Sequence, residues 1–154
     1  SPIAEDAVVT KVAFGSCADQ TKSQKHWKAI LSDNPELFLF IGDNVYGDVE
    51  TDDKSLPELA EAYGILADNE EFDAFQSKVP ILPTWDDHDY GQNDKGADFA
   101  LRKESEALFL KFWGASNRDS RRQHEGIYMA QSHGPPGKKL QIIVLDTRSF
   151  RGAF

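Results

Sequence analysis

The sequence predicts an α/β fold, a mixed sheet flanked by helices, and two observations carry the prediction. Short apolar runs, each broken by Gly or an acid, alternate with segments whose apolar residues recur at helical spacing. A Gly-Pro-Pro-Gly stretch near the end separates two further strand-like runs, which reads as a hairpin. The first strand is Val8 to Phe14, which alternates and runs into Gly15-Ser16-Cys17. Residues 24–31 then read as a helix with Ser23 at its N-cap. Trp27, Ile30 and Leu31 share its inner face, and His26 is exposed. Leu37-Phe38-Leu39-Phe40-Ile41 is a buried strand ended by Gly42. Ser55 to Ala67 is a helix with Pro57 in its first turn and a stripe of Leu59, Ala62, Tyr63 and Leu66. Glu70 to Gln76 is a short helix, and Pro80 to Trp85 another strand. Ala97 to Trp113 is the longest helix, stopped at Gly114, with Leu101, Leu108, Phe109 and Phe112 facing the core. Gly126 to Gln131 and Leu140 to Asp146 form the closing strands.

Composition bounds the function. The chain has 154 residues, 40% hydrophobic and 28% charged, which suits one domain or half of a larger one. Its 26 acids against 17 bases give a formal charge of −9, which argues against a partner held through nucleic-acid phosphates. No apolar run approaches the roughly 18 residues of a membrane span. Cys17 is the only cysteine, so no intrachain disulfide forms.

Chemistry-bearing residues gather where the strands end. Asp43 and Tyr46 lie in Gly42-Asp43-Asn44-Val45-Tyr46-Gly47-Asp48, just past one strand. In open α/β sheets that edge is where ligands bind. A carboxylate can bridge two cations, and a phenolate is a hard donor for a trivalent metal. Taken alone, the segment equally fits an Asp/Asn/Gly turn. The next strand ends in Asp86-Asp87-His88-Asp89-Tyr90-Gly91-Gln92-Asn93-Asp94, with Trp85 and Tyr90 beside the acids. So many acids repel unless a cation offsets them. A lone Cys is more often buried filler than a ligand, but Cys17 closes a strand in the same way, so a thiolate ligand is the competing reading. Asn117 to Arg122 is the one basic cluster, either a lure for an anionic substrate or a surface loop paired with local acids. Asp146 and Arg148 end the last strand, as loop anchors or as groups reaching the site. His124 and His133 are read as surface residues.

These motifs, taken in order with Leu145-Asp146-Thr147-Arg148-Ser149-Phe150-Arg151, resemble the N-terminal half of the PhoD-like alkaline phosphatases, a branch of the calcineurin-like metallophosphoesterases. The resemblance spans nearly the whole chain, residues 1–154, and the Gly-Asp-x-x-Tyr element also resembles purple acid phosphatases. It implies a partial metallophosphoesterase sandwich whose C-terminal half, with further His and Asp ligands, is absent. It implies metal-dependent hydrolysis of phosphate esters by a metal-bound hydroxide. Cys17, Asp43, Tyr46 and Asp87 would be metal ligands, Asp43 bridging and Tyr46 on ferric iron. His88 would face the substrate as general acid, with Asn44 and Arg148 as substrate contacts. Iron with calcium is the implied cofactor pair, other divalent metals being open, and the implied substrate is a small phosphate ester or a phospholipid. Export to the periplasm or beyond is implied as well. Two other classes stay open: a metal- or phosphate-binding module without turnover, and a structural α/β domain whose acids are solvated turns.

Overall fold

The structure, a computed structural model, describes residues 3–152. Its elements run β1 (Val12–Gly15), α1 (His26–Ser32), β2 (Leu37–Ile41), α2 (Pro57–Ala67), α3 (Glu70–Gln76), β3 (Ile81–Thr84), α4 (Asp87–Tyr90), α5 (Arg102–Phe112), a 3-10 turn (Ser120–Gln123), β4 (Met129–His133) and β5 (Leu140–Val144). Strands β1, β2 and β3 form a parallel sheet with β2 in the middle, and β4 and β5 form a separate antiparallel ladder. Parallel strands with flanking helices fit the α/β reading, and the antiparallel pairing forms a sheet of its own rather than an extension of the parallel one.

The two-residue period of β2 sets the layers. Phe38 and Phe40 point to one side and pack with Trp27 of α1, with Phe72 and Phe75 of α3, and with Tyr63 of α2. Trp27 is the hub: its ring centroid lies 4.9 Å from Phe75, 5.2 Å from Phe72 and 5.4 Å from both Phe38 and Phe40. Leu37 and Leu39 point the other way and join Leu82 with Ile142, Leu140, Met129 and Val144 of the hairpin. The central sheet therefore has helices on one face and the hairpin on the other. That second face is only partly covered: Phe14 and Ile41 remain exposed, as do Ile143 and Leu145 on the alternate side of the hairpin strand.

Boundaries differ from the sequence reading where side chains capture backbone donors. The first strand starts at Val12, not Val8, because the N–H groups of Thr10 and Lys11 donate to Glu36 Oε2 instead of to a ladder. Ser23 does not cap α1; Lys25 occupies the cap position without a side-chain bond, while Gln24 ties the turn through Trp27 Nε1 at 2.6 Å. The long helix begins at Arg102, since Ala97 N–H donates to Arg151 O and residues 96–99 form a turn. Gly126 and Ile127 stay outside β4 because their N–H groups go to Glu106 and Asp146. His133 is 5% exposed, not a surface residue; it sits where the strand end meets Ala4. His124 is half-buried and stacks on Tyr128.

The basic cluster takes the structural role. Arg121 is buried and forks onto Asp119, and Arg122 donates to the carbonyls of Ala115 and Ser116. Asp146 is likewise an anchor. Its Oδ1 accepts from Trp85 Nε1, Arg148 N and Ser149 N, and its Oδ2 from Ile127 N and Ser149 Oγ, all at 2.7–2.9 Å. It therefore ties the end of β3 to the hairpin.

Candidate metal centre

The turns after β1, β2 and β3 are built to meet one another. Gly42 has φ +113°, and a Cβ there would lie 2.7 Å from Asp86 Cβ, so only Gly lets the β2 and β3 exits touch. Gly47 lets the loop pass over α2, where a Cβ would meet Leu59 Cα at 2.7 Å. Cys17 N–H donates to Gly42 O and Ala18 N–H to Asp43 O, which draws the β1 exit alongside. Cys17 (φ 58°) and Asp43 (φ 46°) are both held in the left-handed region, which is uncommon for residues with a side chain and is concentrated at functional sites.

All five residues read from the sequence as ligands or acid come together here. Ligand atoms of Asp43, Asp87 and His88 lie within 4.8 Å of one another. Cys17 Sγ is 3.6 Å and Tyr46 OH 3.5 Å from Asp43 Oδ2, and the Tyr46 and His88 rings are 4.6 Å apart between centroids. Asp43 thus stands between a sulfur–phenol pair and a carboxylate–imidazole pair. Its own environment fits a cation. Asp43 Oδ1 is buried with no hydrogen-bond partner, a loss a coordinated metal would make good. Burial, with the charges of Asp86 and Asp87, pushes the Asp43 carboxyl up, against the pull of His88. Burial and the Asp43 charge push the Tyr46 hydroxyl well up.

The surrounding groups fix these side chains. His88 Nδ1 lies 2.7 Å from Asp48 Oδ2, while Asp48 Oδ1 accepts Asn93 N–H at 2.7 Å. Burial lowers His88, but the Asp48 bond and the nearby carboxylates outweigh it and hold the imidazole above its ordinary range. Burial raises Asp87, yet the Asp94 N–H at 2.8 Å and the Arg148 charge leave it below the usual carboxylate range. Arg148 donates from Nε to Asp86 Oδ1 at 2.6 Å and stands 3.8 Å from Asp87, half-buried, so it braces the acidic turn. Asn44 is wholly buried and donates to Thr84 O at 2.7 Å, a strut between β2 and β3 with no surface for a substrate. Asp89, wholly buried, accepts N–H groups from Asp43 at 3.2 Å, Asn44 at 3.0 Å and Asp86 at 2.7 Å.

Asp48 and Asp89 are the residues that sequence reasoning missed. Both stand inside the quoted motifs, and the Asp89 bond to Asp86 N–H is a local helix cap, but the Asp48 bond to His88 and the Asp89 bonds to Asp43 and Asn44 span 40 or more positions, which no local pattern reveals.

Comparison with known proteins gives the family and the fold. The family model described as PhoD-like phosphatase matches residues 12–153, and the chain belongs to that family. A solved structure described as "Structure of PhoD" superposes with a TM-score of 0.69 over 96% of this chain, at 18% identity. At that identity the likeness shows the fold. The chain spans 33% of the length of that solved chain. No curated protein compared with it matches. No helix among the described residues is long and apolar enough to cross a membrane.

Proposed function

We propose that this chain supplies the Asp43-centred part of a metal-dependent phosphoric ester hydrolase, acting on a small phosphate ester or a phospholipid. The observation that carries the reading is the buried, unpartnered Asp43 Oδ1 among Cys17, Tyr46, Asp87 and His88. Cys17, Tyr46 and Asp43 would hold a trivalent iron, the soft thiolate and hard phenolate suiting it. Asp43 and Asp87 offer oxygen to a second cation, for which calcium or another divalent ion fits. When bound, such cations neutralise phosphoryl charge and lower the pKa of water. Asp48 engages His88 Nδ1, which leaves Nε2 to hold or deliver a proton at the leaving oxygen. Trp85 and Tyr90 pack beneath the acidic turn and keep it rigid. A further segment of the same polypeptide would complete the ligand set and cover the exposed Ile143 and Leu145. An exported enzyme, periplasmic or secreted, fits the single cysteine.

Hydrolysis of an aryl phosphate by the intact protein, before and after chelation and metal return, tests the reading. Activity lost on chelation and restored by iron with calcium is expected. Activity that survives complete metal removal would overturn it. A second reading, a metal-binding segment without turnover of its own, is favoured by the 33% coverage of the solved chain. Hydrolysis by the intact protein separates the two, since the second reading predicts none that depends on this segment; of residues 1–154 expressed alone, weak metal binding and little turnover are expected. Asp48→Asn should lower kcat about tenfold or more, because it removes the charge that orients His88. Equal kcat in the two proteins would show that the Asp48–His88 pair does not serve the reaction.

A further inference from the structure

We infer that Asp89 is the positioning residue of the metal centre, a buried carboxylate that sets the Asp43 and Asp86–His88 turns against each other. The inference rests on the proposed function and adds a residue that would not itself touch the metal. Asp89 is 0% exposed, and its two oxygens accept three backbone N–H groups from two different strand exits. Oδ1 takes Asp43 N–H and Asp86 N–H; Oδ2 takes Asn44 N–H. Two of those donors belong to the residues whose side chains matter most. Asp43 carries the orphaned oxygen, and its backbone is held at φ 46°. Asp86 receives the Arg148 guanidinium and opens the four-residue α4 that presents Asp87 and His88.

The chemistry of the clamp is specific to a carboxylate. Three N–H donors converge on two oxygens, and neither oxygen can be exchanged for a donor. An Asn in its place would keep an acceptor for one side and set an NH2 group against an N–H on the other. The Asp43 turn would then relax from its left-handed backbone, because nothing else described holds both the Asp43 and Asn44 amides. A bridging ligand that turns by an ångström no longer serves two donor groups at once. Asp89 thus links the fold to the metal geometry without touching the metal. A carboxylate that only supported packing would affect stability and leave the affinity of the folded protein for metal unchanged.

The test compares the intact wild-type protein with Asp89→Asn and with Ser105→Ala, a buried hydroxyl that donates to Tyr90 O on the far side of α4. Unfolding midpoints are measured first, so that metal titrations are run where every protein is folded. Ferric iron and calcium are titrated separately by calorimetry, and the visible phenolate–iron band is recorded. The expected result is that Asp89→Asn weakens metal binding at least tenfold and shifts or removes the band, while Ser105→Ala loses stability without either change. Equal metal affinity and an equal band in folded Asp89→Asn overturn the inference. Absence of metal binding by the wild type would instead overturn the proposed function. Should Asp89→Asn fail to fold, amide exchange in the wild type decides. Slow, concerted exchange of the Asp43, Asn44 and Asp86 amides supports the clamp. Exchange as fast as in an open loop refutes it.

Discussion

Asp43→Asn is expected to lower phosphate-ester hydrolysis about a thousandfold, with a fold that stays intact. Asp43 lies within reach of both Cys17 and Tyr46 on one side and Asp87 and His88 on the other. The neutral amide presents one oxygen and one NH2 group, so it cannot serve two cations. Lewis-acid stabilisation of the phosphoryl group supplies several kcal/mol, and about 4 kcal/mol corresponds to about three decades in rate. Folding should suffer little. The wild-type Asp43 carboxyl is pushed up by burial and neighbouring acids, so removing its charge relieves repulsion. The expected pattern is thus a large fall in kcat/KM beside an unfolding midpoint equal to or above that of the wild type in metal-free buffer. A variant that keeps most of its activity would show that Asp43 is not a ligand.

Asp146→Asn is expected to destabilise the protein by about 3 kcal/mol at neutral pH. Five donors converge on the Asp146 carboxylate, and the amide leaves at least one of them facing an NH2 group. Hydrogen bonds to a charged group and an unsatisfied buried donor each count for about 1–3 kcal/mol. The pH dependence has a defined sign. Burial raises Asp146, but the bonds from Trp85, Ser149 and Ile127 outweigh it and hold the folded carboxyl below its ordinary value. Its stabilisation is therefore fully present above the unfolded value of about 3.9 and is lost as pH falls through the folded one. Denaturant unfolding should show a wide gap between wild type and variant at pH 7 that closes below about pH 4. A gap that stays constant over that range would assign the loss to packing instead of charge.

Much of the architecture is legible in the sequence because it is written locally. The Phe38/Phe40 and Leu37/Leu39 alternation states which side of β2 faces the helices, and the apolar stripe of α2 falls where its spacing puts it. The candidate site is legible because each strand run ends in Gly or acid with unusual neighbours, and the four motifs fall in family order. What escapes is every role defined by a remote partner. Asp89 and Asp48 read as members of an acid run, yet one clamps two turns and the other holds an imidazole. Asn44 braces Thr84 and Arg148 holds Asp86, contacts across 40 and 62 positions that the motifs do not spell out. Strand and helix ends shift wherever a side chain such as Glu36 or Asp146 outcompetes the ladder for an N–H. The short α4 escapes because Asp86-Asp87-His88-Asp89-Tyr90 followed by Gly91 looks like a turn.

The measurement that tests the central claim most directly is X-ray absorption and anomalous diffraction on crystals of the intact protein loaded with iron and calcium. Metal density within coordination distance of Asp43, about 2.0–2.6 Å, is predicted, with Tyr46 and Cys17 on the iron and Asp87 on the second cation. Metals bound elsewhere, with the Asp43 carboxylate still unpartnered among Cys17, Tyr46, Asp87 and His88, would contradict it.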